Sequence, residues 1–282
     1  MNGGAYVLLL LMVLQLFVYA DFPHQITPQE QLYIHYSEIL AGRADGEKDN
    51  FIAQEDARFA ELYKKLEAYD RSFAAGEISQ DSYSALTVDI YRQLDSETTF
   101  YRARDQYSLM KERKLEYVCL TPYNRLLGSK GLREILRQSI FLILSLTVGL
   151  SGVFASEYET GMIQLLHTTE REGSSRKRKM VLGVLYGLAV AVIVYMPQFM
   201  AVWRFYGLPG ADAPAGSVPI LGLAFGRVWS AMGIYGGMVA IISVILSLAV
   251  LLISRITRNN LYTCIYSCAL FLPPCVLGLL VI

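Results

Sequence analysis

The chain has 282 residues, 54% of them hydrophobic and 18% charged, with 25 basic against 25 acidic side chains and a formal net charge of zero. Soluble domains carry about 25% charged residues, so the balance leans towards membrane, and zero net charge argues against a bulk electrostatic nucleic-acid binder. Residues 21–137 hold 20 of the acids and 16 of the bases, which leaves 14 charges for the other 165 residues; a polar domain is set into a membrane protein.

In chain order, residues 5–20, AYVLLLLMVLQLFVYA, are apolar but short for a crossing. The VYA before Asp21 resembles a signal-peptide cleavage site, yet no Lys or Arg precedes Arg43 to make the basic start such a peptide has. An uncleaved first span over residues 1–20 is therefore expected.

The polar domain 21–137 reads as helical. TPQE at 27–30 has the form of a capping box, with Thr27 as N-cap and Pro28 at the first helical position, and Gly42 closes that helix. Phe59, Leu62, Leu66, Tyr69 and Phe73 step by 3, 4, 3 and 4, a coiled-coil seam. After the AAGEIS break, Tyr83, Leu86, Ile90 and Leu94 resume a stripe on a helix expected to reach about Glu116. The simplest arrangement is two antiparallel helices. Its tyrosines fall on the seam, which favours core packing over a ligand cage.

Four further apolar stretches, at 138–155, 180–202, 231–253 and 261–282, are each long enough to cross a bilayer. Pro197 lies in the second of these and Pro273-Pro274 in the last. Residues 217–230, SVPILGLAFGRVWS, are too apolar for a free loop and are expected to form a half-helix dipping into the outer leaflet. Gly183 with Gly187, Gly222 with Gly226, and Gly233 with Gly237 have the spacing of close helix–helix contact. Cys264, Cys268 and Cys275 share one helical stripe with no His or acid nearby, so they read as small packing residues and not as a metal site. Seven of the nine bases outside the polar domain lie in two short stretches: Arg171, Arg176, Lys177, Arg178 and Lys179, then Arg255 and Arg258. The positive-inside bias makes them topology anchors, with both loops and the N-terminus cytoplasmic and residues 21–137 extracytoplasmic, at the cell membrane.

The fold class is thus all-α: a polytopic membrane protein of about five spans with a helical-hairpin, coiled-coil extracytoplasmic domain. The domains are the span 1–20, the polar domain 21–137, and a transmembrane domain 138–282 that includes a cytoplasmic loop 156–179 and an outer loop 203–230. No P-loop and no HExxH occurs, the histidines are His24, His35 and His167, and the spans hold no Asp, Glu, Lys or His. Neither an enzyme nor a self-powered proton-coupled transporter is expected, and no catalytic residue, cofactor or metal ligand is assigned.

The first cytoplasmic loop is the most informative segment. Tyr158, Met162, Leu165 and Leu166 share one face at helical spacing, with Glu157, Glu159, Gln164 and His167 elsewhere. This describes a short amphipathic helix along the inner surface, ended by REGSS, with the next span beginning after the basic run. It either seats the spans or docks a cytoplasmic partner. FASEYETGMIQLLHTTEREG followed by RKRKMVLG resembles the signature of ABC-transporter permeases of the type-2 exporter class, in which an acid-x-x-x-Gly stretch, a Leu pair and a basic residue form the coupling helix. YGLPGADAP at 206–214 resembles a Gram-positive subset with a helical extracytoplasmic insertion. The resemblance implies a membrane subunit that pairs with a second copy or another permease, sits in membrane lipid and binds a separate ABC ATPase subunit. Glu157, Glu159, Gly161, Leu165, Leu166 and Arg171 would be the coupling positions. The family usually has six spans and a cytoplasmic C-terminus, against five expected here, which leaves half of a longer permease, a truncated product or a partner to another subunit as the expectation. A non-transporting membrane sensor or scaffold, with a ligand- or peptide-binding ectodomain, is the alternative.

Overall fold

The computed structural model describes residues 10, 13, 14, 26–162, 172–222 and 226–281. Among them the chain is nearly all helical, with no strand: α1 Pro28–Leu40, α2 Gly46–Ala74, α3 Gln80–Leu94, α4 Glu97–Glu112, α5 Thr121–Leu127, α6 Ser129–Leu150, α7 Gly152–Glu159, α8 Glu172–Tyr206, α9 Val228–Thr257 and α10 Asn260–Val281. Four helical stretches are long and apolar enough to cross a membrane: Thr121–Glu159, Gly173–Tyr206, Val228–Thr257 and Asn260–Val281. The span expected at residues 1–20 lies almost wholly outside the described residues.

The described residues fall into two compact units, one from 122–207 and 230–281 with residues 10, 13 and 14, and one from 26–121 and 208–229. The boundary between polar and apolar units thus falls at Thr121 and not at residue 137. The stretch Leu208–Trp229, expected to belong with the spans, joins the polar unit.

In the polar unit the local signals act as the sequence implies at the start. The Thr27 hydroxyl accepts from Glu30 N at 3.2 Å and Pro28 occupies the first helical position. Gly42 (φ +90) takes the left-handed turn after α1 and pairs with Tyr117 through two backbone hydrogen bonds of 2.9 and 2.7 Å. Asp45 caps α2 by accepting from Lys48 N at 3.0 Å. The second half departs from the two-helix expectation, because Asp95 and Ser96 divide the expected long helix into α3 and α4. Four helices result, with α2 packed on α3 and α1 on α4. The core joins Tyr33, Tyr36, Leu40, Phe59, Leu62, Ile90, Phe100, Tyr107 and Tyr117. Of the expected seam, Phe59 and Leu62 are buried while Phe73 is 38% exposed, and on α3 the inward position is Thr87 rather than Leu86. Residues 217–230 supply no half-helix in their described part. Ala215–Ser217 and Pro219–Leu221 are single 3-10 turns, and Ala215, Val218 and Leu221 are buried in the polar unit. Their apolar character is core packing, which removes the need for a lipid partner.

In the apolar unit α6 is the central helix: it packs on α8 and α10, and half of the most apolar part of Thr121–Glu159, which contains α6, is buried against 6% for α10. The core joins Leu142, Leu146, Leu150, Phe154, Val190, Ala191, Val194, Val250 and Leu251. Between apolar helices in lipid, close packing rather than water exclusion drives association. Gly183 and Gly187 serve that end, since a Cβ on Gly183 would stand 2.6 Å from Leu251 Cδ1 and one on Gly187 would collide with the Ser247 hydroxyl. The other expected pairs mark no close approach among the described residues: Gly222 and Gly226 take left-handed turns at φ +61 and +89, and Gly233 and Gly237 have no neighbour within 4 Å of a Cβ. Two contacts, 183 with 251 and 187 with 247, fix α8 and α9 as antiparallel neighbours.

Candidate functional site

The acid-x-x-x-Gly stretch begins on α7, which continues the line of α6. Ser151 between them keeps right-handed dihedrals (φ −56, ψ −39), so what is interrupted is the hydrogen-bond ladder and not the helical path. The Ser254 side chain from α9 enters that interruption. Its hydroxyl accepts from Phe154 N at 3.3 Å and Ala155 N at 3.2 Å and donates to Ser151 O at 2.5 Å. Ser254 is fully buried, so no water competes for these groups.

The far end of α7 is tied to three helices. Glu157 meets Lys179 of α8 in an ion pair and hydrogen bond, with side-chain exposures of 14% and 26%. The Lys179 ammonium also reaches Val153 O at 3.4 Å and lies 5.7 Å from the Phe154 ring centroid. Glu159 Oε1 accepts from Asn260 N, the first residue of α10, at 2.8 Å. Arg258, in the two-residue turn between α9 and α10, places its guanidinium 4.9 Å from the Tyr158 ring centroid. That turn is held by its own polar groups: the Asn259 side chain accepts from Tyr262 N at 3.1 Å, and the Thr257 and Thr263 hydroxyls lie 2.6 Å apart. Arg258 itself is left-handed at φ +53. α7 ends at Glu159 with Thr160 as its C-cap, and Gly161 takes φ +73, the left-handed position after the cap that glycine adopts without a Cβ penalty.

Of the expected coupling residues, Glu157, Glu159 and Gly161 therefore fall together on the last turn of α7 and its cap. Leu165, Leu166 and Arg171 lie outside the described residues. Arg176, Lys177, Arg178 and Lys179, expected as topology anchors in a loop before the span, lie instead in the first turns of α8, which starts at Glu172. Four cations in successive positions repel one another, and the Glu157 carboxylate offsets one of them. Arg255 is exposed in the last turn of α9, where the dipole favours a cation. Through Glu157–Lys179 and Tyr158–Arg258 both basic stretches come to one end of the apolar unit.

Sequence reasoning missed Ser254 and Asn260. The signal for Ser254 was present: Ser243, Ser247 and Ser254 are three fully buried hydroxyls at spacings of 4 and 7 on α9. Such spacing marks a helix face without saying which partner it meets.

Among the described residues these features define a class, a nearly all-helical chain with four helices long and apolar enough to cross a membrane and a helical polar unit. No family model matches the chain, and no curated protein or solved structure matches it.

Proposed function

We propose that the chain is a membrane-spanning permease subunit of an ATP-binding-cassette exporter, driven by a separate ATPase subunit. The observation that carries this reading is the three-way anchoring of α7: its end is bound to α8 through Lys179, to the α9–α10 turn through Arg258, and to α10 through Asn260. A force applied at Glu157–Gly161 would reach α8, α9 and α10 through contacts that are polar and directional. An ATPase docked on this end, closing on ATP, would move the helices together. Residues 157–170 would be the coupling segment. The gathering of both basic stretches at one end supports their sharing the cytoplasmic side, with a fifth span at residues 1–20, the polar unit outside and the protein multi-pass in the cell membrane.

The test is co-purification followed by reconstitution. A P-loop ATPase encoded beside this chain is expected to come down with it, and Gly161→Trp, which puts a bulky side chain at a left-handed position in open space, is expected to change ATP turnover without dissociating the complex. Unaltered turnover in an intact complex refutes the coupling assignment. The alternative, a sensor or scaffold, draws on exposed Leu86, Val88 and Tyr91 on α3. It predicts that no nucleotide-binding subunit co-purifies.

A further inference from the structure

On α9, hydroxyls follow two different habits. Ser243 donates to Val239 O at 2.8 Å, Ser247 to Ser243 O at 2.7 Å and Thr257 to Ile253 O at 2.9 Å, each the carbonyl four residues back on its own helix. That back-bond is the ordinary solution for a hydroxyl inside a helix. Ser254 departs from it by donating across the interface to Ser151 O while accepting from Phe154 N and Ala155 N. Its own back-bond acceptor, Val250 O, is one side-chain rotation away.

We infer that Ser254 is a two-position latch on a hinged α7: in the position seen here it completes the interrupted ladder between α6 and α7, and on rotating to Val250 O it releases α7 to swing about Ser151–Gly152. Three features make the alternative position accessible. The hydroxyl keeps a hydrogen bond in both positions, so switching does not strand its own proton. Gly152 begins α7 and adds no side chain at the pivot; a Cβ built there would lie 3.9 Å from the Asn260 side chain. The far end is held by an ion pair, a cation–ring contact and one backbone hydrogen bond, tethers that re-form elsewhere more readily than apolar packing. The groups that lose partners on release are the Phe154 and Ala155 amides and the Ser151 carbonyl, and the Phe154 ring must also leave the apolar core; these losses together set the energy gap between the two positions. The latch stands on this geometry alone; its use as a transport relay rests on the permease reading.

Amide hydrogen exchange on the full chain in lipid nanodiscs tests it without any ATPase, so failure here is separate from failure of the permease reading. Ser254→Ala is expected to speed exchange over residues 152–159 by about tenfold, with residues 139–148 of α6 and the polar unit unchanged. Ser247→Ala is the control, as Ser247 is equally buried on the same helix but bonded to its own backbone, and it is expected to leave 152–159 unchanged. A disulfide between Glu159→Cys and Asn260→Cys, made in Ser254→Ala with Cys264 replaced by Ala, is expected to restore slow exchange by holding α7 against α10. If Ser254→Ala does not fold, Ser254→Cys, a weaker donor, carries the same comparison. No acceleration, an equal acceleration in Ser247→Ala, or an acceleration that the disulfide fails to reverse each overturns the latch. The last result would mean that α7 unwinds in place instead of swinging.

Discussion

Removing either partner of the Glu157–Lys179 pair will not cost the same. The two side chains are 14% and 26% exposed, between a surface pair worth at most about 1 kcal/mol and a fully buried pair whose disruption costs about 3–5 kcal/mol. At contact distance and an effective dielectric near 20 the gross attraction is about 4 kcal/mol, and desolvation offsets much of it. The net coupling is therefore expected at about 1–2 kcal/mol. Surroundings then set the asymmetry. Without Lys179, Glu157 still has the bases of the first turns of α8 within its field. Without Glu157, Lys179 stands within one turn of Arg176, Lys177 and Arg178, whose like charges oppose its own. Glu157→Ala should thus destabilise more than Lys179→Ala, by about 1 kcal/mol. The assay is a double-mutant cycle on thermal unfolding of the detergent-purified chain, read by circular dichroism at two salt concentrations. A coupling indistinguishable from zero, or Lys179→Ala as the worse variant, refutes the reasoning.

Gly187→Val should cost about 1–3 kcal/mol by forcing α8 off Ser247, whereas Gly233→Val, which meets open space, should change stability by less than about 0.5 kcal/mol; equal losses in thermal unfolding would show that the glycine spacing, not the contact, governs. Tyr117→Phe removes the 3.1 Å hydrogen bond between the Tyr117 and fully buried Ser37 hydroxyls and is expected to lower polar-unit stability by about 1 kcal/mol in urea titration followed by near-ultraviolet dichroism. The Lys111 ammonium beside Asp49 holds that carboxyl below the usual carboxylate range. A lowered folded value means stability present above the unfolded pKa and lost as pH falls through the folded one. The stability gap between wild type and Lys111→Ala should then be open at neutral pH and close as pH drops well below about 4; a gap that persists in acid would assign it to packing.

Four long apolar helices, the Thr27 cap and the inward Phe59 and Leu62 were legible because each rests on periodicity or on residues within four positions of one another. The division at Asp95–Ser96 was not, since Tyr83, Ile90 and Leu94 run up to it and the stripe on α4, through Phe100, Ala103 and Tyr107, restarts on a new face. The helical start of α8 was hidden by its charges, because REGSSRKRK looks like a solvated loop until Glu157 is opposite it. The ties of α7 were the least legible. Ser254 meets Ser151 across 103 positions and Glu159 meets Asn260 across 101, and nothing local records such a pairing.

The polar unit is written into the chain in two instalments. Val118 lies against Gly210, where a Cβ would stand 2.5 Å from its Cγ2, and Ala213 and Val218 are buried in the same unit. Between Thr121, where the first instalment stops, and Trp229, where the second ends, a ribosome adds 108 residues, including all of α8. At 5–20 residues per second that is a wait of roughly 5–20 s, during which the four helices exist without their last wall. Completion of the polar unit is therefore tied to the emplacement of α8, and a chain stalled before residue 229 carries an unfinished apolar surface that quality-control proteases and chaperones can recognise.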